Sequence, residues 1–160
     1  MGLFSSDRQA NQTNPLAPLT RDRVATRLGA KDYRFGRDAD GDPLGNWEGH
    51  PFMFISYGKA LEILQVRGRW GRELPAELAD EVTSRANTWN ADKLWPKVYV
   101  RVTGRTIGVF GELTVDYEHG VSDEQIDQQV VCGITTTLEF FAELDEAYPA
   151  AVAAAQSDAN

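Results

Sequence analysis

The chain has 160 residues, enough for one domain with modest tails and large enough to bury a core without disulfides or metals. Lys plus Arg number 16 and Asp plus Glu 24, a formal charge of −8, and 42% of residues are apolar, which excludes a disordered composition. The single cysteine, Cys132, excludes an internal disulfide or a cysteine zinc cluster, and the acidic balance argues against a general nucleic-acid binder.

No apolar run approaches the ~18 residues of a membrane helix, and the N-terminus lacks a basic-then-apolar signal. The expectation is a soluble, cytoplasmic protein with no membrane partner. The charge is unevenly placed. Residues 111–160 hold eleven acids and no Lys or Arg. That acidic third reads either as a solvated face or as a docking face for a basic segment.

Residues 1–19 have no sustained period and carry Pro15 and Pro18, so they read as a disordered tail. Their start, Met1 to Ser6, matches the loose myristoylation pattern, which carries little information. Thr20 can cap a short helix over about 21–28, with Val24 and Leu28 on one face and Gly29 as its stop. Tyr33-Arg34-Phe35 alternates as a strand, and Asp38 to Pro43 is dense turn chemistry, with Leu44 to Trp47 a possible short return strand. Phe52 to Tyr57 and Leu61 to Arg69 complete an antiparallel meander.

Pro75 suits the first turn of a helix that runs to about residue 90 through Leu78, Val82, Ala86 and Trp89. Val98, Val100 and Val102 mark a strand, and Thr103-Gly104-Arg105 a tight turn. In the next strand Ile107, Val109, Leu113 and Val115 share one face. Glu112, Asp116 and Glu118 take the other, expected to be wet. Ser122 to Gln125 is a capping box, and Ile126, Val130, Ile134, Leu138 and Phe141 continue at helical spacing until Pro149. Residues 150–160 read as a second tail. The fold class is α+β: an antiparallel sheet with flanking helices, in one domain over 20–149.

No residue set specifies a reaction. Asp38-x-Asp40-x-Asp42 opens like a calcium loop, but its sixth position is Pro43 and its twelfth Gly49, so a hairpin turn is expected. Cys132 sits on the long helix as a packing residue rather than a nucleophile. His50 and His119 are expected in exposed loops. Glu112, Asp116 and Glu118 are explained by strand parity before acid–base chemistry is needed. No catalytic residue, cofactor or metal site is assigned.

Arg67, Arg69, Trp70 and Arg72 form a basic–aromatic cluster, a pattern that can hold phosphates and stack a base. Strand-end arginines lying over an apolar rim explain it as well. Four tryptophans, Trp47, Trp70, Trp89 and Trp95, are many for this length, and exposed ones would anchor a protein partner.

Three stretches carry a resemblance. They are Tyr33 with Asp38 to Asp42, Trp47-Glu48-Gly49 and Phe52 to Phe54; Trp89-Asn90 with Trp95 to Val100; and Gly111-Glu112 with Gly120, Gln125, Phe140-Phe141 and Tyr148-Pro149. Over about residues 20–149 the chain resembles the YbjN-type family of bacterial sensory transduction regulators. The resemblance implies a fold similar to type III secretion chaperones, in the order α-β-β-β-α-β-β-α. It also implies a bacterial, cytoplasmic, non-catalytic protein, with a homodimer plausible and no catalytic residues to transfer. The expectation is a regulator or adaptor that binds an unknown protein or peptide, with Phe110, Trp47, Trp70 and Trp95 as contacts. The alternatives are a nucleic-acid-linked regulator using Arg67, Arg69 and Arg72, or an enzyme of unrecognised type.

Overall fold

The computed structural model describes residues 15–158. Helix α1 (Arg21–Ala30) starts where the sequence places it, with the Thr20 hydroxyl accepting from the Arg23 amide, and it buries Val24, Ala25 and Leu28. A four-stranded meander follows: β1 (Phe35–Arg37), β2 (Pro43–Trp47), β3 (His50–Tyr57) and β4 (Ile63–Arg69). After β5 (Leu74–Pro75) a short 3₁₀ turn leads into α2 (Ala79–Asp92). The hairpin of β6 (Lys97–Thr103) and β7 (Thr106–Asp116) precedes the long α3 (Asp123–Ala147) and α4 (Pro149–Asp158). At the start of α3, Ser122 and Gln125 form the expected capping box in both directions.

All pairings are antiparallel, in the order β1-β2-β3-β4-β7, and β7 also pairs with β5 and β6. Strand β7 is the hub. It pairs with β4 through residues 110–116 and with β6 through 106–112, so these two strands lie on opposite edges. The sheet buries one face. Phe52 and Phe54 of β3, Leu64 and Val66 of β4, and Val109 of β7 meet Ile126, Val130, Ile134, Phe140 and Phe141 of α3 in one core. The approach is close. A Cβ built on Gly133 of α3 would sit 2.7 Å from Val66 Cβ, and one on Gly68 would sit 2.7 Å from the Phe52 ring. These two glycines let the helix settle onto the sheet.

The class is the expected α+β, with differences in detail. Strand β2 is real and inserts a hairpin, and the two-residue β5 forms because Leu74 finds Ile107 as its partner. Pro75 ends β5 rather than opening a helix, and α2 begins four residues later at Ala79. The first strand begins at Phe35, two residues beyond Tyr33. The tail expected over 1–19 lies outside the described residues up to 14. Its remainder is pinned: Ala17 bridges Val121, and Leu19 is buried. The stretch after Pro149, expected as a tail, continues as helix to Asp158, because a proline start and an alanine run suit a helix even without a buried face.

Much of the acidic third is paired inside the fold. Arg23 reaches Asp123 at 2.6 Å, Arg27 reaches Asp127, and Arg72 reaches Asp145 at 3.1 Å. Cations of the first half thus fasten α1 and the β4 end to α3.

Candidate interaction surface

Helices α1, α2 and α3 gather on the buried face: α3 lies against β4 and β7, α1 against α3 and β2, and α2 against β6. Among the described residues the opposite face of the sheet is open. Register fixes what it displays. One row across the strands runs Leu44, Met53, Arg67, Glu112, Lys97. The next runs Arg69, Phe110, Tyr99. Met53, Ile55, Tyr99 and Phe110 are half-buried among their neighbours, and no described helix lies above them.

Glu112 sits at the centre of this face and is only 7% exposed, so the expected wet side chain is buried. The reason is crowding. Arg67 Nε donates to one Glu112 carboxylate oxygen at 3.2 Å, Tyr99 Oη donates to the same oxygen at 3.0 Å, and Lys97 meets the other. Burial alone would push this carboxyl up. The opposing pull of Lys97, Tyr99 and Arg67 wins and holds it below the usual carboxylate range. Tyr99 and Phe110 stack at 5.4 Å between centroids, 15° from parallel. Lys97 and Arg101 each lie 5.3 Å from the Tyr99 centroid. The result is an aromatic–aliphatic platform rimmed by cations.

The candidate contacts divide. Phe110 is on the platform. Trp95, half exposed, stands at its end beside a recess of about 240 Å³ that Lys97, Glu112 and Thr114 also line. Trp47 is not on this surface: it lies on the helix side, in edge contact with Tyr33, Phe52 and Phe54. Trp70 is 1% exposed and donates its indole N–H to Asp145 at 2.7 Å, so it is a core residue and not an anchor for a partner. Trp89 is also core.

The arginine cluster also divides. Arg67 and Arg69 face the platform, while Arg72 turns to Asp145 on α3. The carboxylate of Asp38 accepts from the amides of Asp40 and Asp42, and Asp42 is buried against Arg21 at 2.6 Å, so the triplet is a turn. Among the described residues no cluster of three metal-ligating side chains occurs. His119 is exposed as expected, but His50 is not. His50 is 3% exposed, accepts from the Gly71 amide at 2.8 Å, and packs on Phe141. Burial raises the pKa of the Cys132 thiol, which leaves it a poor nucleophile.

Sequence reasoning misses Lys97, Tyr99 and Arg101 as site residues. A signal for the cations was present: residues 93–111 hold Lys93, Lys97, Arg101 and Arg105 and no acid.

No curated protein matches the chain. Its fold is similar to a solved structure described as "Crystal structure of YbjN, a putative transcription regulator from E. coli", with a TM-score of 0.71 at 12% identity, covering 84% of this chain and 97% of that one. Neither that likeness nor the family match names a secretion chaperone. No described helix is long and apolar enough to cross a membrane. Residues 20–146 match the family model described as "Putative bacterial sensory transduction regulator", and the chain belongs to this YbjN family.

Proposed function

We propose that this chain is a non-catalytic, cytoplasmic regulator that acts by binding another protein across the open face of its sheet. One observation carries the reading. Among the described residues the face presents Met53, Ile55, Tyr99 and Phe110 without a covering helix, while α1, α2 and α3 pack on the other side. Half-buried aromatic and aliphatic side chains inside a polar rim match the anatomy of a protein interface. The non-catalytic part is supported by what the reactive side chains already do. Glu112 neutralises Arg67 and Lys97, His50 is enclosed beside Phe141, and Asp145 holds Trp70 and Arg72.

The nucleic-acid reading receives less support. Arg72 is spent on α3, and the Tyr99 ring is flanked by Phe110 and two cations, which leaves it a poor platform for a base.

The test is capture of partners by the tagged chain from its host extract, in parallel with Phe110→Glu and with Gln128→Glu on the exposed side of α3. A stoichiometric protein lost by the first variant and kept by the second is expected. Recovery of the bait alone, or equal capture by both variants, contradicts the proposal.

A further inference from the structure

We propose that the outer edge of β6 is a pairing site for an extended acidic segment of a partner protein, which adds to the sheet beside Val100 and Val102. This rests on the protein-binding reading above and names the chemistry of the partner. Among the described residues strand β6 pairs with β7 and with no other strand. Thr103 and Thr106 close its two-residue turn as a bonded pair. Odd-numbered residues therefore bond to β7, and Val98, Val100 and Val102 turn their N–H and C=O groups outward.

One of these three slots is already filled in the manner of a strand. The Asn90 side chain accepts from the Val98 N–H at 2.9 Å and donates to the Val98 C=O at 2.9 Å. Beyond it, no donor or acceptor among the described residues meets the outward groups of Val100 and Val102. Asn90 thus sets where an added strand stops, and the open length begins at Val100. The Val102 side chain is 58% exposed and offers apolar contact on the α2 side.

Charge selects the occupant. Residues 93–111 carry four cations and no acid. Arg101 is exposed on the open face within this open length, where a residue of an added strand would stand opposite it, while Lys97 lies before the Asn90 stop and already meets Glu112. Cations on an edge guard it against pairing with a like-charged edge. A second copy pairing through β6 would bring two such cationic runs together, so the edge disfavours itself. A strand with carboxylates at alternate positions is attracted instead, and its ladder hydrogen bonds supply the affinity.

The probe is a capped ten-residue peptide of alternating Val and Glu, with a Val–Lys peptide as control, titrated into the isotope-labelled full chain. The expected result has three parts. The Val100 and Val102 amides shift and gain exchange protection with the Glu peptide alone. Half-molar salt weakens binding on the order of tenfold. Val102→Pro abolishes it, and Arg101→Glu, which leaves the backbone untouched, weakens it at least tenfold.

Shifts confined to Phe110 and Met53 would overturn the edge site while leaving face binding intact. Equal response to both peptides, or to neither, would overturn it as well. So would binding of phosphatidylglycerol vesicles through Lys97 and Arg101 with no response to the peptide. The protein-binding reading fails separately, if capture is insensitive to Phe110→Glu.

Discussion

His50 shows how a single residue couples fold to solution conditions. Burial, with the neighbouring Arg72 charge, brings its pKa from the usual 6.5 to about 4, while Asp145 pulls weakly the other way. The unfolded chain therefore takes up a proton near pH 6.5 that the folded chain refuses until about pH 4. Stability falls as pH drops through that window, by on the order of 2–3 kcal/mol. Urea unfolding at stepped pH values checks this. His50→Asn, which keeps an acceptor for Gly71, starts less stable but loses that slope; an unchanged slope would assign the acid sensitivity elsewhere. Arg23 is a second local fastening, donating to Ala17, Pro18 and Val121 carbonyls and to Asp123. Arg23→Ala is expected to cost about 2 kcal/mol and to release residues 15–19, read as faster amide exchange at Val121. Neither role was legible in the sequence. His50 precedes a proline and looks like a loop residue, and nothing local says that Gly71, 21 residues on, will close over it.

At the scale of elements, local signals placed most helices and strands. Thr20, the Ser122–Gln125 box and the alternating valines of β6 each act within a few residues, so periodicity and capping find them. Burial of the polar residues was not legible, because register decides it. Glu112 was expected in water from the parity of its own strand. The parity was right, yet Arg67 and Lys97 stand opposite it on the two flanking strands. The packing of α3 on β4 gives an element-scale prediction. Alanine at position 133 gains about 1 kcal/mol of helix propensity but adds a Cβ 2.7 Å from Val66, within a packed layer. The clash wins, and Gly133→Ala is expected to lower stability by about 1–2 kcal/mol net. Thermal unfolding measures it; a stabilised variant would mean that helix and sheet are further apart.

For the whole molecule, charge placement links stability to function. The sequence shows an acidic third and an earlier basic excess, and the fold spends part of each on the other across the α1–α3 seam. The cations Lys97, Arg101 and Arg105 are left largely outside that arrangement, on the hairpin that edges the open face. Sequence reasoning named Phe110 and Trp95 on this side of the sheet. It also named Trp47 and Trp70, because residue type alone does not separate a core indole from a surface one. A glycine at 45, under the Trp47 ring, was the available hint that this indole lies flat on the sheet.

The most direct test of the open face as a docking surface is photo-crosslinking in living cells. A benzophenone amino acid would stand in turn at position 110 on the face and at position 128 on the exposed side of α3. A discrete protein adduct from position 110, absent from 128, is the result expected here. Adducts of equal yield from both positions, or from 128 alone, would contradict it.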